Sequence, residues 1–215
     1  MAGRARCGRE SGTEHRAPST EHRAPSTEHR APSTQEAYMA DRPLLMLDVD
    51  GPIAPYGGFR RPGGYRTHRV QSRTWRQRQL DQGVRNPKPL RVWLHPDHGP
   101  SLLALPYRPV WATAWREEAD ELLAPLLGLP RFPYVNWESM HHGDPDGLHW
   151  KTRQLVAWAD QQPFAWVDDE IEPQDTEWIA ANHPGPALTL KIDHRYGLRP
   201  EHFAQLTAWA EELDC

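Results

Sequence analysis

Leu44-Leu45-Met46-Leu47-Asp48-Val49-Asp50-Gly51 is the stretch that decides the reading of this chain. Four apolar residues run straight into two carboxylates one residue apart, then a glycine. A short continuous apolar run bounded by turn residues reads as a strand buried on both faces of a parallel sheet. Ligands of open α/β sheets sit beyond the carboxyl ends of the strands. Asp48 and Asp50 are therefore placed where chemistry is done.

The chain downstream supplies the rest of such a sheet. Pro109–Thr113 reads as a second buried strand, Phe132–Trp137 as a third, Pro163–Val167 as a fourth and Ala187–Ile192 as a fifth. Helices are expected over Arg116–Leu127, Lys151–Asp160, Asp175–Asn182 and Arg199–Leu213. The first of these stops at Gly128 with Pro130 behind it, the usual helix-ending pair. Alternation of strand and helix argues for five parallel strands with crossover helices. Pro96–Pro100 is expected as an exposed turn after a strand at Leu90–His95, followed by a short helix over Ser101–Leu105.

Two segments do not fit that alternation. Residues 13–33 are three copies of Thr-Glu-His-Arg-Ala-Pro-Ser, with a proline in each copy and no apolar seam. Residues 1–38 read as a disordered tail, and Met39 directly precedes the domain as an alternative start. Residues 51–100 form an insertion poor in aliphatics. Between 60 and 91 ten basic residues face one acid, Asp81, a local +9 in a chain of −4, so the remainder carries −13. The plainer reading is a solvated flap that pairs with the acidic remainder. The sharper one is an electrostatic guide for a polyanion, with Tyr56, Phe59, Tyr65 and Trp75 available for stacking.

Composition narrows the setting. With 38% hydrophobic residues and 22 prolines among 215, one α/β domain is affordable and much of the remainder is loop or tail. No apolar run has the roughly 20 residues of a membrane span, and no apolar core of a secretory signal is present. The two cysteines, Cys7 and Cys215, are too few for a thiolate metal site and fit a reduced cytoplasm.

The strand ends carry one chemistry together. Asp48 and Asp50, Thr113, and Asp168 with Asp169 each end a strand, and Lys151 opens a helix. Clustered carboxylates repel unless a cation joins them, and an all-oxygen set suits Mg²⁺. A divalent cation, a hydroxyl and an ammonium around a carboxylate make a phosphate site. A carboxylate can also be the nucleophile. His141, His142 and His149 with Asp144 and Asp146 have ligand chemistry, but intervening Gly and Pro favour a solvated loop over a structural zinc. His95, Asp97 and His98 are expected on the surface at the turn.

Asp48-Val49-Asp50-Gly51, Thr113, Lys151 and Asp168-Asp169, in this order over about 44–213, resemble the four motifs of the haloacid dehalogenase (HAD) superfamily. The resemblance implies a Rossmann-like, HAD-like three-layer sandwich over 39–215 with a minimal cap, the flap or hairpin of 51–100. It implies Asp48 as nucleophile and metal ligand, and Asp50 as acid/base with its carbonyl on the metal. Thr113 and Lys151 would bind phosphate, and Asp168 and Asp169 would hold Mg²⁺. The implied activity is a Mg²⁺-dependent phosphatase acting through an aspartyl-phosphate. Its partner would be a small-molecule phosphate ester or a nucleic-acid end, and minimally capped members often take bulky substrates. A catalytically idle domain used for binding is the reading from another class. Motif II here is set between Trp111 and Trp115, and the fourth motif lacks the small residues often found before it.

Overall fold

The computed structural model describes residues 42–140 and 143–213. The repeat-bearing tail, both cysteines and His141 and His142 lie outside the described residues. β1 (Leu44–Leu47) is buried along its whole length and occupies the middle of a parallel sheet. On one side it pairs with β4 (Arg108–Trp111), on the other with β5 (Phe164–Asp168), and β6 (Ala187–Lys191) extends the sheet beyond β5. Leu47 lies level with Trp111 and with Val167, so the three chains reach their carboxyl ends together.

Alternate residues of β1 feed two cores. Leu45 and Leu47 join Ala165, Val167, Leu123, Leu127, Leu206 and Ala210 on one face. Leu44 and Met46 join Phe164, Trp166, Leu155, Ala159 and Ile179 on the other. Helices therefore cover both faces of the sheet. Thr152–Ala159 and Pro173–Asn182 lie on the Met46 face, and Ala124–Leu127 and Pro200–Leu213 on the Leu47 face. This is why β1 reads as unbroken apolar sequence: it meets water on neither side.

The sheet has four strands, not the five expected. Phe132–Trp137 touches it by a single parallel bridge, Trp111 to Tyr134. Trp111 donates its N–H to Pro133 O at 2.9 Å and receives Val135 N–H at 2.9 Å. Pro133 has no N–H to donate, so the ladder goes no further. The expected helix over Arg116–Leu127 also differs. Ala119–Leu123 is a π-helical turn, and Ala124–Leu127 follows as a short α-helix that ends on Gly128 in the left-handed region. Pro125 supplies no N–H there, and the wider turn accommodates it.

The insertion is a small folded unit rather than a bare flap. β2 (Arg66–Val70) pairs antiparallel with β3 (Leu90–Leu94), and α1 (Arg73–Asp81) connects them. Ser72 caps α1 by accepting Trp75 N–H at 3.0 Å. The next helix, α2 (His98–Ala104), begins earlier than the expected turn allows, and His98 is buried rather than exposed. The helices after α2 are α3 (Ala124–Leu127), α4 (Thr152–Ala159), α5 (Pro173–Asn182) and α6 (Pro200–Leu213). Among the described residues no helix is long and apolar enough to cross a membrane.

Candidate active site

Asp48 stands one residue past β1, its N–H bonded to Val167 O at 3.0 Å. The chain then turns sharply. Ile53 and Ala54 both donate to Val49 O, at 3.0 and 2.8 Å. Gly51 carries the turn at φ +89°, and a Cβ there would stand 2.4 Å from Asp169 Oδ1. Only glycine both adopts that φ without strain and lets Asp169 approach the β1 turn this closely.

Lys151 immediately precedes α4, where a cation opposes the helix dipole. The side chain is buried, and Nζ lies 2.7 Å from Asp168 Oδ2 and 3.1 Å from Asp48 Oδ1. Two carboxylates of adjacent strands thus share one ammonium. Burial alone would pull the lysine down, but Asp48 and Asp168 more than offset it and hold the ammonium above its ordinary value. Burial pushes the Asp48 carboxyl well up, against the pull of Lys151 and of the Thr113 hydroxyl.

The remaining expected residues converge on the same place. Thr113 is buried, and its carbonyl accepts Trp137 Nε1–H at 2.9 Å. One carboxylate oxygen each from Asp48, Asp168 and Asp169 lie within 4.8 Å of one another. Asp168 takes protein donors on both oxygens: Oδ2 accepts Lys151 and Trp166 Nε1–H (3.1 Å), and Oδ1 accepts Glu170 N–H (3.0 Å). Asp169 accepts the Tyr56 hydroxyl at 2.7 Å. Asp50 faces the cleft with an open surface, and Trp115 Nε1–H bonds its Oδ2 at 2.9 Å. Enclosure by the cleft raises the Asp50 carboxyl, and the indole bond draws it part of the way back.

A cavity of about 330 Å³ opens over this group, lined by Asp48, Asp50, Lys151 and Asp169 together with Tyr56, Ala114, Trp150 and Glu170. A wider cleft of about 630 Å³ adjoins it, sharing Tyr56, Trp150, Asp169 and Glu170. Another cavity, of about 590 Å³, lies elsewhere, between residues 62–65, 95–101 and 196–203, and holds none of Asp48, Asp50, Thr113, Lys151, Asp168 and Asp169. Tyr56 and Trp115 are the contacts that sequence reasoning passed over. Their aromatic rings were visible beside the motifs, but nothing local indicates which carboxylate a ring N–H or hydroxyl reaches. The His-rich loop does not assemble a ligand set among the described residues. Asp144 and Asp146 pair with Arg153, and His149 Nε2 lies 3.0 Å from Glu170 Oε2. No family model, no curated protein and no solved structure matches this chain.

Proposed function

We propose that this chain is a Mg²⁺-dependent phosphohydrolase working through an aspartyl-phosphate on Asp48, on a Rossmann-like, HAD-like three-layer scaffold. The observation that carries the reading is the division of labour between two carboxylates of one turn. Asp48 is buried against Lys151, while Asp50, two residues on, is open to the cleft. A nucleophile needs a fixed, charge-balanced oxygen, and an acid/base needs access to the leaving group and to water. A reduced cytoplasm fits the two cysteines, Cys7 and Cys215.

The donor set suits a hard divalent cation, being all oxygen and rich in carboxylate. Asp48, Asp169 and the Asp50 carbonyl would hold it. Asp168 Oδ1, which takes only the Glu170 N–H, would join them, while its Oδ2 anchors Lys151. A bound Mg²⁺ would supply charge neutralisation at the phosphoryl oxygens.

The residues then act in sequence. Lys151 and the Thr113 hydroxyl orient the phosphoryl group against Asp48. The Asp48 carboxylate oxygen bonds to phosphorus as the ester P–O bond breaks, and Asp50 gives its proton to the departing oxygen. Trp115 holds Asp50 in place through this exchange. Water then attacks the phosphoryl group, Asp50 takes its proton, and phosphate leaves with Asp48 restored. With an aryl phosphate and Mg²⁺, turnover is expected and is abolished by Asp48→Asn and by a chelator. Equal inertness of wild type and Asp48→Asn across a broad panel of phosphate esters refutes the proposal.

A further inference from the structure

Among the described residues the basic insertion hardly pairs with the acidic remainder. Only Arg73 does so, reaching Glu117, Glu118 and Glu121 at 3.6, 3.5 and 2.9 Å. Among the described residues, Arg60, Arg61, Arg66, Arg69, Arg76, Arg78, Arg85, Lys88 and Arg91 are exposed and make no ion pair. An exposed cation without a counter-ion keeps its field for a ligand.

The placement of one of these cations is specific. A second cavity, of about 220 Å³, shares two walls with the catalytic one, Asp50 and Ala114. Arg78, Trp75 and Trp115 line it. The Trp75 ring is fixed by its Nε1–H bond to Lys88 O at 3.1 Å. Glu118 also lines this cavity, but its carboxylate is consumed by the Ser72 hydroxyl (2.9 Å), by Arg73 N–H and by the Arg73 guanidinium. Arg78 lies near enough that its charge acts on the Asp50 carboxyl.

We infer that this cavity is the leaving-group subsite and that the substrate is a phosphorylated end of single-stranded nucleic acid. The inference rests on the phosphohydrolase reading. The acid/base must face the leaving oxygen, so a substrate with its phosphoryl group at Asp48 extends past Asp50. Past Asp50 it meets two indole walls and one guanidinium. A flat ring beside an anion, one unit from a terminal phosphate, is a nucleotide joined to the next phosphodiester. The walls require an unpaired base, which selects a single strand. The unpaired cations of β2, α1 and β3 continue the field along the following phosphates. In the reaction the P–O bond to the terminal sugar breaks. The sugar oxygen takes the Asp50 proton, and water completes the hydrolysis.

The test has two arms with the full chain. In the first, Asp48→Asn protein is titrated with fluorescent 5′- and 3′-phosphorylated single-stranded oligonucleotides between 50 and 200 mM salt. Affinity is expected to fall steeply with salt. Each phosphate contact contributes about 0.7 to the slope, so Arg78→Ala lowers it by about that amount and Arg78→Lys restores it. In the second arm, Arg78→Ala lowers kcat/KM for the phosphorylated oligonucleotide at least tenfold more than for an aryl phosphate. Absent or salt-independent binding, or equal losses on the two substrates, overturns the inference. If the aryl phosphate is hydrolysed while oligonucleotides are neither bound nor preferred, the subsite fails and the hydrolase stands. If salt-dependent binding persists while no ester is turned over, the groove stands as a binding site and the hydrolase fails.

Discussion

Lys151→Met removes one ammonium and keeps most of the volume of its stem. In the wild type that ammonium sits 2.7 Å from Asp168 and 3.1 Å from Asp48, with all three side chains buried. Its loss leaves two carboxylates facing each other out of water. Removing one partner of a buried ion pair typically costs about 3–5 kcal/mol, because the charge left behind is uncompensated. For a domain of this size, about 3 °C of melting temperature per kcal/mol gives a fall of about 10–15 °C at neutral pH. Two companions identify the cause. Lys151→Met/Asp168→Asn recovers a substantial part of the loss, because one of the stranded charges is gone. Mg²⁺ raises the melting temperature of Lys151→Met more than that of wild type, because a cation then supplies the missing charge. The assay is thermal unfolding by circular dichroism at fixed ionic strength. A loss below about 1 kcal/mol, or a double variant no more stable than the single one, refutes the reasoning.

Gly51→Ala adds a methyl 2.4 Å from Asp169 Oδ1 at a φ of +89°. Strain of about 1–2 kcal/mol and a displaced Asp169 are expected, read as lower melting temperature and lost Mg²⁺-dependent turnover; wild-type activity would count against the close approach. His98 is buried with its Nε2–H on Leu198 O at 3.1 Å, and burial, then His95, pushes it down to about 4. Unfolded, it titrates near 6.5, so the unfolded chain binds the extra proton between those values. Stability is complete above about 6.5 and falls by roughly 3 kcal/mol on acidification through about 4. His98→Gln removes that part of the acid loss in urea titrations at pH 7 and 4.5, and an unchanged difference between the two pH values contradicts it. Glu118 accepts the Ser72 hydroxyl and the N–H groups of Arg73 and Thr74 at 2.9, 2.5 and 3.4 Å. Glu118→Ala leaves these α1 donors without that partner, so limited proteolysis is expected to cut residues 71–90 faster while the parallel sheet survives.

Three of the four parallel strands are legible because each carries a short continuous apolar run that ends at polar residues, and β6, Ala-Leu-Thr-Leu-Lys, is legible as a mostly apolar run between Pro186 and Lys191. The failures have separate causes. Phe132–Trp137 has strand composition, but its proline spoils the ladder, and composition does not weigh where in the register a missing N–H falls. β2 reads Arg-Thr-His-Arg-Val, with one buried residue, so it shows no apolar alternation. It exists because β3 pairs with it. α1 is hidden for the same reason: Ser72 caps it, yet its only apolar side chains are Trp75 and Leu80, and its one buried residue is the polar Gln79. His98 reads as a polar turn residue, and its burial depends on Leu198, 100 positions away. At the site, four of the six residues singled out from the sequence, Asp48, Asp50, Lys151 and Asp169, line one cleft, and Thr113 and Asp168 are buried. Tyr56 and Trp115 reach it from the flap turn and from beyond β4, and such long-range donors leave no local pattern.

The charge balance of the cleft leads to a last prediction. Asp48 and Asp168 share Lys151, Asp169 stands beside both and Asp50 shares the cleft, and burial or enclosure raises three of these carboxyls, those of Asp48, Asp50 and Asp169. Four acids with one ammonium among them repel when ionised, and a bound cation or a proton relieves that repulsion. Binding to the folded state alone stabilises by about 2.7 kcal/mol at 100 times the dissociation constant. Millimolar Mg²⁺ is therefore expected to raise the melting temperature by several degrees. Asp169→Asn should remove most of that response, because Asp169 belongs to the carboxylate group that can hold the ion and takes a side-chain donor, the Tyr56 hydroxyl, on one oxygen only. Without Mg²⁺ the same variant should melt no lower than wild type, since a repelling charge has gone, although the Tyr56 hydroxyl loses its charged acceptor. Opposite signs in the two conditions separate a metal ligand from a carboxylate that merely holds the fold. A variant destabilised equally with and without Mg²⁺ would give Asp169 the structural role alone.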